Sequence, residues 1–244
     1  MSTAAATARR HMLLLGLCLW LLVVLPLAVL VAVQWQPLLR VDRAVVDALQ
    51  PQVAERPAYQ AVLNVVTTAG TSWFRLLVLL PVGIWAFRTA RQRLGWLLVL
   101  AASLIGLLTT GLKLIVDRDR PDFPDPIYLS DALSHPSGHA SGIVTLVALL
   151  LVAFLRLLPA RRRTATVVGG ILLVLAVGLT RIALGAHYPS DVVAGFALGA
   201  GWVLVLTAWL GAAPGPAQEQ PADPESLHEQ ERCERGRHEH GPAA

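Results

Sequence analysis

Three short segments of the chain carry cations, imidazoles and a carboxylate in a pattern that could handle a phosphoryl group. The segments are Lys113 with Arg120, residues 136–139 (PSGH), and Arg181 with His187 and Asp191. The guanidinium of arginine offers forked donors that match phosphate oxygens, and lysine adds a compact point charge. The pattern therefore predicts a site that binds phosphate through its cations.

The same segments contain candidates for a nucleophile and an acid. His187 and Asp191 are close in the chain, so the carboxylate could accept a hydrogen bond from one ring nitrogen and leave the other lone pair available. His139 could protonate a leaving oxygen and later activate water. Ser137 and Gly138 form a small turn whose backbone amides could approach an anion at a helix N-terminus. These features predict hydrolysis of a phosphate ester with His187 as nucleophile.

Each of these residues also has a structural interpretation when it is taken alone. Lys113 could extend its ammonium toward lipid headgroups, and Asp191 could stabilise the N-terminus of a helix. Arg118 lies beside Arg120 in a stretch rich in aspartate, whose acids could solvate the loop or pair with arginines. Taken together, the structural interpretations are less convincing than each is alone. Independent structural roles would all have to place cations at the same face of the molecule.

The elements that must position these residues are transmembrane helices. Of the 244 residues, 55% are hydrophobic and only 15% are charged, which is unlike an ordinary soluble domain. A bilayer core about 30 Å thick needs roughly 20 apolar residues in a helix, and such runs recur along the chain. We predict an all-α, polytopic membrane protein with a six-helix bundle. The predicted spans are 12–34, 66–87, 94–116, 140–159, 165–185 and 190–212.

Arginines collect at alternate ends of successive predicted spans. The clusters are Arg9 with Arg10, then Arg88, Arg91 and Arg93, then Arg156 with residues 161–163. Because cytoplasmic loops are enriched in Lys and Arg, these ends are predicted to face the cytoplasm. We therefore expect a protein of the plasma (inner) membrane with cytoplasmic N- and C-termini and an extracytoplasmic active site. The net charge of +4 reports this topology and predicts no nucleic-acid partner.

The predicted segmentation has three parts. Residues 1–11 form a cytoplasmic N-terminus, residues 12–212 a six-helix transmembrane domain, and residues 213–244 a disordered cytoplasmic tail. The domain includes an outer loop, 35–65, and an active-site loop, 117–139. In the outer loop, apolar residues at helical spacing beside Asp42 predict an amphipathic helix on the membrane interface.

The three chemical segments together resemble the signature of the type 2 phosphatidic acid phosphatase superfamily, which also includes vanadium-dependent haloperoxidases. The first part, Lys, six residues, Arg-Pro, matches 113–121, and the second, PSGH, matches 136–139 unchanged. The third, Ser-Arg, five residues, His, three residues, Asp, matches 180–191 with Thr180 in place of serine. Threonine retains the hydroxyl, so this departure bears only on the packing of that turn.

The resemblance implies a role for each matched residue. His139 would be the general acid, His187 would form a phosphohistidine, and Asp191 would orient His187. The resemblance also implies a helical core, no metal or cofactor, and inhibition by vanadate. The residues that would bind phosphate are Lys113, Arg120, Ser137, Gly138 and Arg181.

The function expected from residues and resemblance is hydrolysis of a membrane lipid phosphate, with the bilayer as the protein's environment. The outward site favours undecaprenyl diphosphate as substrate, and phosphatidate and phosphatidylglycerol phosphate are alternatives. Haloperoxidase chemistry is a further alternative, although those relatives are typically soluble. In another class, a transporter or binding protein could capture anionic lipids without cleaving them, but His139, His187 and Asp191 would then be superfluous. No oligomeric state is predicted.

Overall fold

The computed structural model describes residues 3–124, 126–127 and 132–212, and the regular elements of this part are helical. The predicted all-α class is therefore confirmed. The helices are α1 (Thr3–Leu19), α2 (Leu25–Ala32), α3 (Gln36–Ala54), α4 (Pro57–Thr68), α5 (Ser72–Arg88), α6 (Gln92–Val116), α7 (Gly138–Phe154), α8 (Ala160–Ala183) and α9 (Pro189–Leu210). A π-helical turn, Trp20–Val24, joins α1 to α2, and a 3-10 turn, Leu155–Leu157, follows α7.

Five described helical stretches are long and apolar enough to cross a bilayer. One is the α1–α2 stretch, and the others are α6, α7 with its 3-10 turn, α8 and α9. Helices α4 and α5 meet at a bend of 40° and give a sixth span if they are counted together. The predicted polytopic membrane fold is therefore confirmed.

The second predicted span, 66–87, is not one straight helix. The chain breaks between Thr68 and Ser72, where the Thr71 hydroxyl accepts a hydrogen bond from Phe74 N (3.4 Å) and caps α5. Gly70 lies in this break, and a Cβ there would be 2.9 Å from the side chain of Val177. A hydroxyl cap and a tightly packed glycine end one helix and start another, and hydropathy averaged over a window does not detect this.

The predicted outer loop, 35–65, is helical almost throughout. The predicted amphipathic helix corresponds to α3, and most of α4 follows it. Asp42, however, is 1% exposed and lies on the buried face with Val46, whereas Val41 is exposed. This face differs from the one expected of an amphipathic helix, because Asp42 has polar partners inside the protein.

Helix α9 is the most buried of the candidate spans and packs against α1, α6 and α7. Its contact with α7 depends on Gly195 and Gly199. A Cβ at Gly195 would lie 2.6 Å from the main-chain oxygen of Ser137, and one at Gly199 would lie 2.5 Å from that of Ser141. Small residues allow such close approach between membrane helices. The N-termini of α7 and α9 are therefore held side by side.

Parts of the predicted segmentation lie outside the described residues. These are the tail 213–244, residues 125 and 128–131 of the predicted active-site loop, and residues 1–2. Helix α1 begins at Thr3, so helix extends through most of the segment assigned to the N-terminus.

Candidate active site

The three chemical segments meet at one end of the helical bundle. Lys113 is in the last turn of α6, residues 136–139 lead into α7, and the third segment runs from the end of α8 into α9. Electrostatic interactions connect His139, which belongs to the second segment, with residues of the other two. These partners are Arg181, His187, Arg120 and Lys113. Residues that are widely separated in sequence thus share one site.

The turn between α8 and α9 carries His187. Gly185 has a φ of +68°, and a Cβ there would lie 2.8 Å from the side chain of Gln50, so the turn requires glycine. The main-chain amides of Ala186 and His187 both donate to Arg181 O, at 3.0 and 3.1 Å. This tight turn brings the imidazole back against the first turn of α9.

His187 faces Asp191. The distance from His187 Nδ1 to Asp191 Oδ2 is 3.6 Å, and the distance to Ser134 Oγ is 3.4 Å. Burial lowers the pKa of His187 to about 3, although the hydrogen bond and negative charge of Asp191 act in the opposite direction. The imidazole is therefore neutral at physiological pH. With Nδ1 turned toward Asp191, Nε2 retains the lone pair of a nucleophile.

Asp191 is fully buried and accepts hydrogen bonds from several groups. Arg118 Nη1 donates to its Oδ1 at 2.7 Å, His135 Nδ1 lies 3.0 Å from the same oxygen, and the Ser134 hydroxyl donates to Oδ2. The amide of Tyr188 also donates to Oδ2, at 2.9 Å, as expected for a carboxylate in the first turn of a helix. The carboxylate is therefore held in one orientation beside His187.

Sequence reasoning missed two of these partners and left a third without a role. The sequence places Arg118 in an aspartate-rich stretch beside Arg120 without indicating its partner, and it does not single out Ser134 or His135. Their position directly before residues 136–139 was the available signal. His135 is buried, and within the described part of the chain its Nε2 has no hydrogen-bond partner.

A second buried carboxylate, Asp42 of α3, supports the same corner of the site. It accepts from Ser190 N at 2.9 Å, from Ser190 Oγ and from Arg118 Nη2 at 2.8 Å. Arg118 thus bridges Asp42 and Asp191, and its Cζ lies 3.9 Å from the ring centroid of Tyr188. Nothing in the sequence pattern links Asp42 to the motifs, since the contact depends on how α3 packs.

Lys113 and Arg120 donate to main-chain carbonyls of the segment that precedes PSGH. Lys113 Nζ donates to the oxygens of Leu133 and Ser134, the latter at 3.3 Å. Arg120 Nε donates to Ala132 O, and its Nη1 donates to Ala186 O at 2.9 Å. Residues 132–134 therefore lie directly beside two of the predicted phosphate ligands.

Arg181 is almost fully buried at the end of α8. Its Nη1 donates to Thr67 Oγ1 at 3.2 Å, which connects it to α4. The preceding residue, Thr180, donates its hydroxyl to Val177 O at 2.6 Å within the same helix. The threonine that replaces the serine of the signature therefore makes a hydrogen bond local to its own helix.

The PSGH turn begins α7. Ser137 caps the helix by accepting from Ala140 N at 3.4 Å, and its own amide donates to Asp191 O at 2.9 Å. At Gly138, a Cβ would contact only the methyl group of Thr109, at 3.8 Å. Packing within the described protein therefore leaves room for a side chain at Gly138. A requirement for glycine there would have to come from what binds.

A cavity of about 260 Å³ opens beside this turn. Lys113, Gly138 and His139 line it, together with Thr109 and Ser141. The other predicted site residues do not belong to its lining, and His187 is only 2% exposed. The structure thus brings two of the five predicted phosphate ligands and the predicted acid to the cavity, whereas the predicted nucleophile is buried outside its lining.

Comparisons with known proteins place the chain in a family. Residues 94–214 match the family model described as the PAP2 superfamily. The chain is 33% identical to phosphatidylglycerophosphatase B of Bacillus subtilis over 147 residues, which is 59% of this chain and 71% of that protein. It is 34% identical to decaprenylphosphoryl-5-phosphoribose phosphatase of Mycobacterium tuberculosis over 165 residues, which is 66% of this chain and 86% of that protein.

A solved structure is also similar to the fold. It is the transmembrane PAP2 type phosphatidylglycerolphosphate phosphatase from Bacillus subtilis, with a TM-score of 0.66 and 26% identity. The match covers 80% of this chain and 94% of that one.

Proposed function

Because the chain belongs to the PAP2 superfamily and the relatives that it matches are named as phosphatases, we propose that it removes a terminal phosphoryl group from a membrane lipid through a phosphohistidine at His187. The observation that carries this proposal is that Asp191 orients a neutral, buried His187. Arg120 and Arg181 are close enough to interact with the same imidazole electrostatically. A transporter would have no use for an imidazole held in this way.

In the first step, His187 Nε2 attacks phosphorus and the bond from phosphorus to the lipid oxygen breaks. His139 supplies the proton that the leaving oxygen takes up, so the lipid departs as an alcohol or as a shorter phosphate. The positive charge that develops on His187 is balanced by Asp191. The carboxylate can do this because Arg118 and His135 hold it in place.

In the second step, water attacks the phosphohistidine and the phosphorus–nitrogen bond breaks. His139, now neutral, accepts the proton of that water, and inorganic phosphate is released. In both steps the charge on the equatorial oxygens is stabilised by Lys113, Arg120 and Arg181 and by the amides of the turn at Ser137 and Gly138. Phosphate binding exchanges the main-chain partners of Lys113 and Arg120 for phosphate oxygens.

The names of the relatives favour lipids that end in a phosphomonoester. Phosphatidylglycerophosphatase B and decaprenylphosphoryl-5-phosphoribose phosphatase are named for such substrates. We take phosphatidylglycerol phosphate as the first substrate to test. Undecaprenyl diphosphate, the substrate that an outward-facing site favours, has no specific support from these names and is tested in parallel.

The proposed location is the plasma membrane with the site on the extracytoplasmic face. In the structure, the arginine clusters lie at the helix ends opposite the site: Arg9 donates to Trp209 O at 3.3 Å, and Arg93 donates to Gly211 O at 3.5 Å. The N-terminus of α1 and the C-terminus of α9 therefore share the arginine-rich end. An excess of arginine on that side supports a cytoplasmic assignment for both termini.

The test is phosphate release by detergent-purified protein from phosphatidylglycerol phosphate, phosphatidate and undecaprenyl diphosphate, with EDTA present. We expect release from at least one lipid, its loss in His187→Gln, and acid-labile radiolabel trapped on the wild-type protein from a labelled terminal phosphate. His11→Gln, which changes an exposed histidine of α1, is the matched control and retains full activity. Near-normal turnover by His187→Gln would exclude the mechanism.

A further inference from the structure

Arg75 is a buried cation in a membrane-spanning helix, and none of the three motifs includes it. It lies one turn into α5 and is 4% exposed. It lines the same cavity as Lys113, Gly138 and His139. A charged side chain within a span is energetically unfavourable unless it has partners or a function.

The partners of Arg75 within the described protein are few. Its Nη2 donates to Ser72 Oγ at 3.3 Å and to Ala102 O at 3.4 Å, both longer than the usual range of about 2.7–3.2 Å. Among the described residues, its Nε has no hydrogen-bond partner and none of the ion pairs includes it. The cationic charge therefore has donors available for an anion that enters the cavity.

The position of Arg75 is built into the packing of its neighbours. A Cβ at Gly142 of α7 would lie 2.5 Å from Arg75 Nη1 and 2.9 Å from the main-chain oxygen of Gly70, so glycine leaves room for the guanidinium there. The guanidinium thus rests against α7 one turn beyond His139. Any anion in contact with Arg75 would lie next to the predicted phosphate site and deeper along the helices.

A separate, apolar cavity lies between α5 and α6. It has a volume of about 340 Å³, and its lining includes Leu76 and Leu79 on α5 and Ala102 on α6. Because Arg75 lines the polar cavity and donates to Ala102 O, this contact connects a cationic and an apolar compartment. Going inward from the site, the protein presents first the cations predicted to bind phosphate, then Arg75, and then a space lined by hydrocarbon side chains.

We propose that Arg75 forms a second anion subsite that binds the phosphoryl group which the lipid keeps after hydrolysis. The substrate class is then a lipid with two phosphoryl groups in series, a terminal one that is cleaved and an inner phosphodiester or phosphate that joins it to the hydrocarbon. The order of these groups in such a lipid matches the order of compartments in the protein. This inference rests on the proposed phosphatase function and specifies its substrate.

The experiment compares two lipids with identical acyl chains. Phosphatidylglycerol phosphate has both phosphoryl groups, and phosphatidate has only one. For Arg75→Gln we expect kcat/KM on phosphatidylglycerol phosphate to fall about 10- to 100-fold, mainly through KM, because a hydrogen-bonded charge is lost. On phosphatidate we expect less than a twofold change. Arg88→Gln, at the far exposed end of α5, is the matched control and changes neither.

A lysine at this position tests the role of charge, and an inhibitor tests the wild-type protein directly. Arg75→Lys is expected to recover part of the loss. Phosphatidylglycerol, which carries only the inner phosphodiester, is expected to inhibit wild-type hydrolysis of phosphatidate competitively and more strongly than diacylglycerol does. This measurement remains decisive if the Arg75 variants do not fold.

The outcomes separate the two proposals. Equal losses on both lipids, or equal inhibition by phosphatidylglycerol and diacylglycerol, would make Arg75 a structural residue and overturn the subsite while the phosphatase function stands. No phosphate release by the wild-type protein from either lipid would overturn the proposed function itself.

Discussion

At the scale of single residues, the site depends on how buried charges are paired. Arg118 connects Asp42 of α3 with Asp191 of α9, and all three side chains are at most 9% exposed. Water cannot easily take the place of a charged partner in such buried surroundings. Removing one member of the pair therefore leaves the remaining buried charges unneutralised. By contrast, the Arg43–Asp47 pair of α3 is about half exposed and is screened by solvent.

This contrast gives a prediction for stability. Arg118→Gln is expected to destabilise the protein by about 3–5 kcal/mol, because two buried carboxylates lose their common cation. Arg43→Gln, which breaks the exposed pair, is expected to cost at most about 1 kcal/mol. Thermal unfolding in one detergent measures both. Similar effects of the two substitutions would contradict the assignment of Arg118 as the central cation.

A second prediction concerns His187 and pH. Its pKa of about 3 in the folded protein lies below the ordinary value of 6.5. As pH falls from 6.5 toward 3, His187 becomes protonated in the unfolded chain but stays neutral in the folded protein, so the free energy of unfolding decreases over this window. The His187→Gln variant has no group that titrates at this position. The slope of its free energy of unfolding against pH should therefore be smaller than that of the wild-type protein, by about 1 kcal/mol per pH unit. Parallel unfolding curves of the two proteins between pH 7 and 4.5 would rule this out.

At the scale of elements, α7 and α9 act as one unit. The helices carry His139 and Asp191 respectively, and glycines at their contact let the two backbones approach closely. The turn at Ser137 is also tied to α9 through its hydrogen bond to Asp191 O. The geometry between the predicted acid and the predicted nucleophile thus depends on helix packing as much as on the loops.

Gly199→Ala tests this dependence. The new methyl group would meet Ser141 O at 2.5 Å, so we expect a loss of about 1–3 kcal/mol in stability and a fall in kcat of about 10-fold or more as the helices separate. Gly169→Ala is the matched control, because a Cβ there meets nothing within 4 Å. Alanine should keep activity and slightly stabilise α8. Unchanged kcat in Gly199→Ala would show that the site tolerates movement of α7.

At the scale of the whole molecule, the ends of the bundle differ in chemistry. The site occupies one end, and the arginine clusters occupy the other. Helices α5, α6 and α8 expose large apolar side chains between these ends, as expected for surfaces that face lipid. A single chemical probe can therefore test on which side of the membrane the site lies.

For topology we predict that a cysteine at Pro124, in the active-site loop, reacts with a membrane-impermeant thiol reagent in intact cells. The background lacks Cys18 and Cys233. A cysteine at Arg161, exposed at the arginine-rich end, should react only after lysis. The opposite pattern of labelling would place the site in the cytoplasm.

The fold and the site could be predicted from sequence to different degrees. Spans could be located because each residue of a membrane helix contributes separately to its hydropathy, and the three motifs could be found because their spacing is local. The break at Gly70 and the role of Asp42 could not be predicted. Both depend on contacts with residues far along the chain, Val177 and Ser190.

The same long-range contacts bear on how the protein is made. Asp42 and its partner Ser190 are 148 residues apart, and α9, which carries Ser190 and Asp191, is the last helix that the structure describes. While the ribosome is still synthesising the earlier helices, Asp42 and Arg118 must remain in or near water, because α9 has not yet been inserted. Assembly of the site is therefore a late event in biogenesis, because Asp42 and Arg118 reach their buried partners only when α9 is in place.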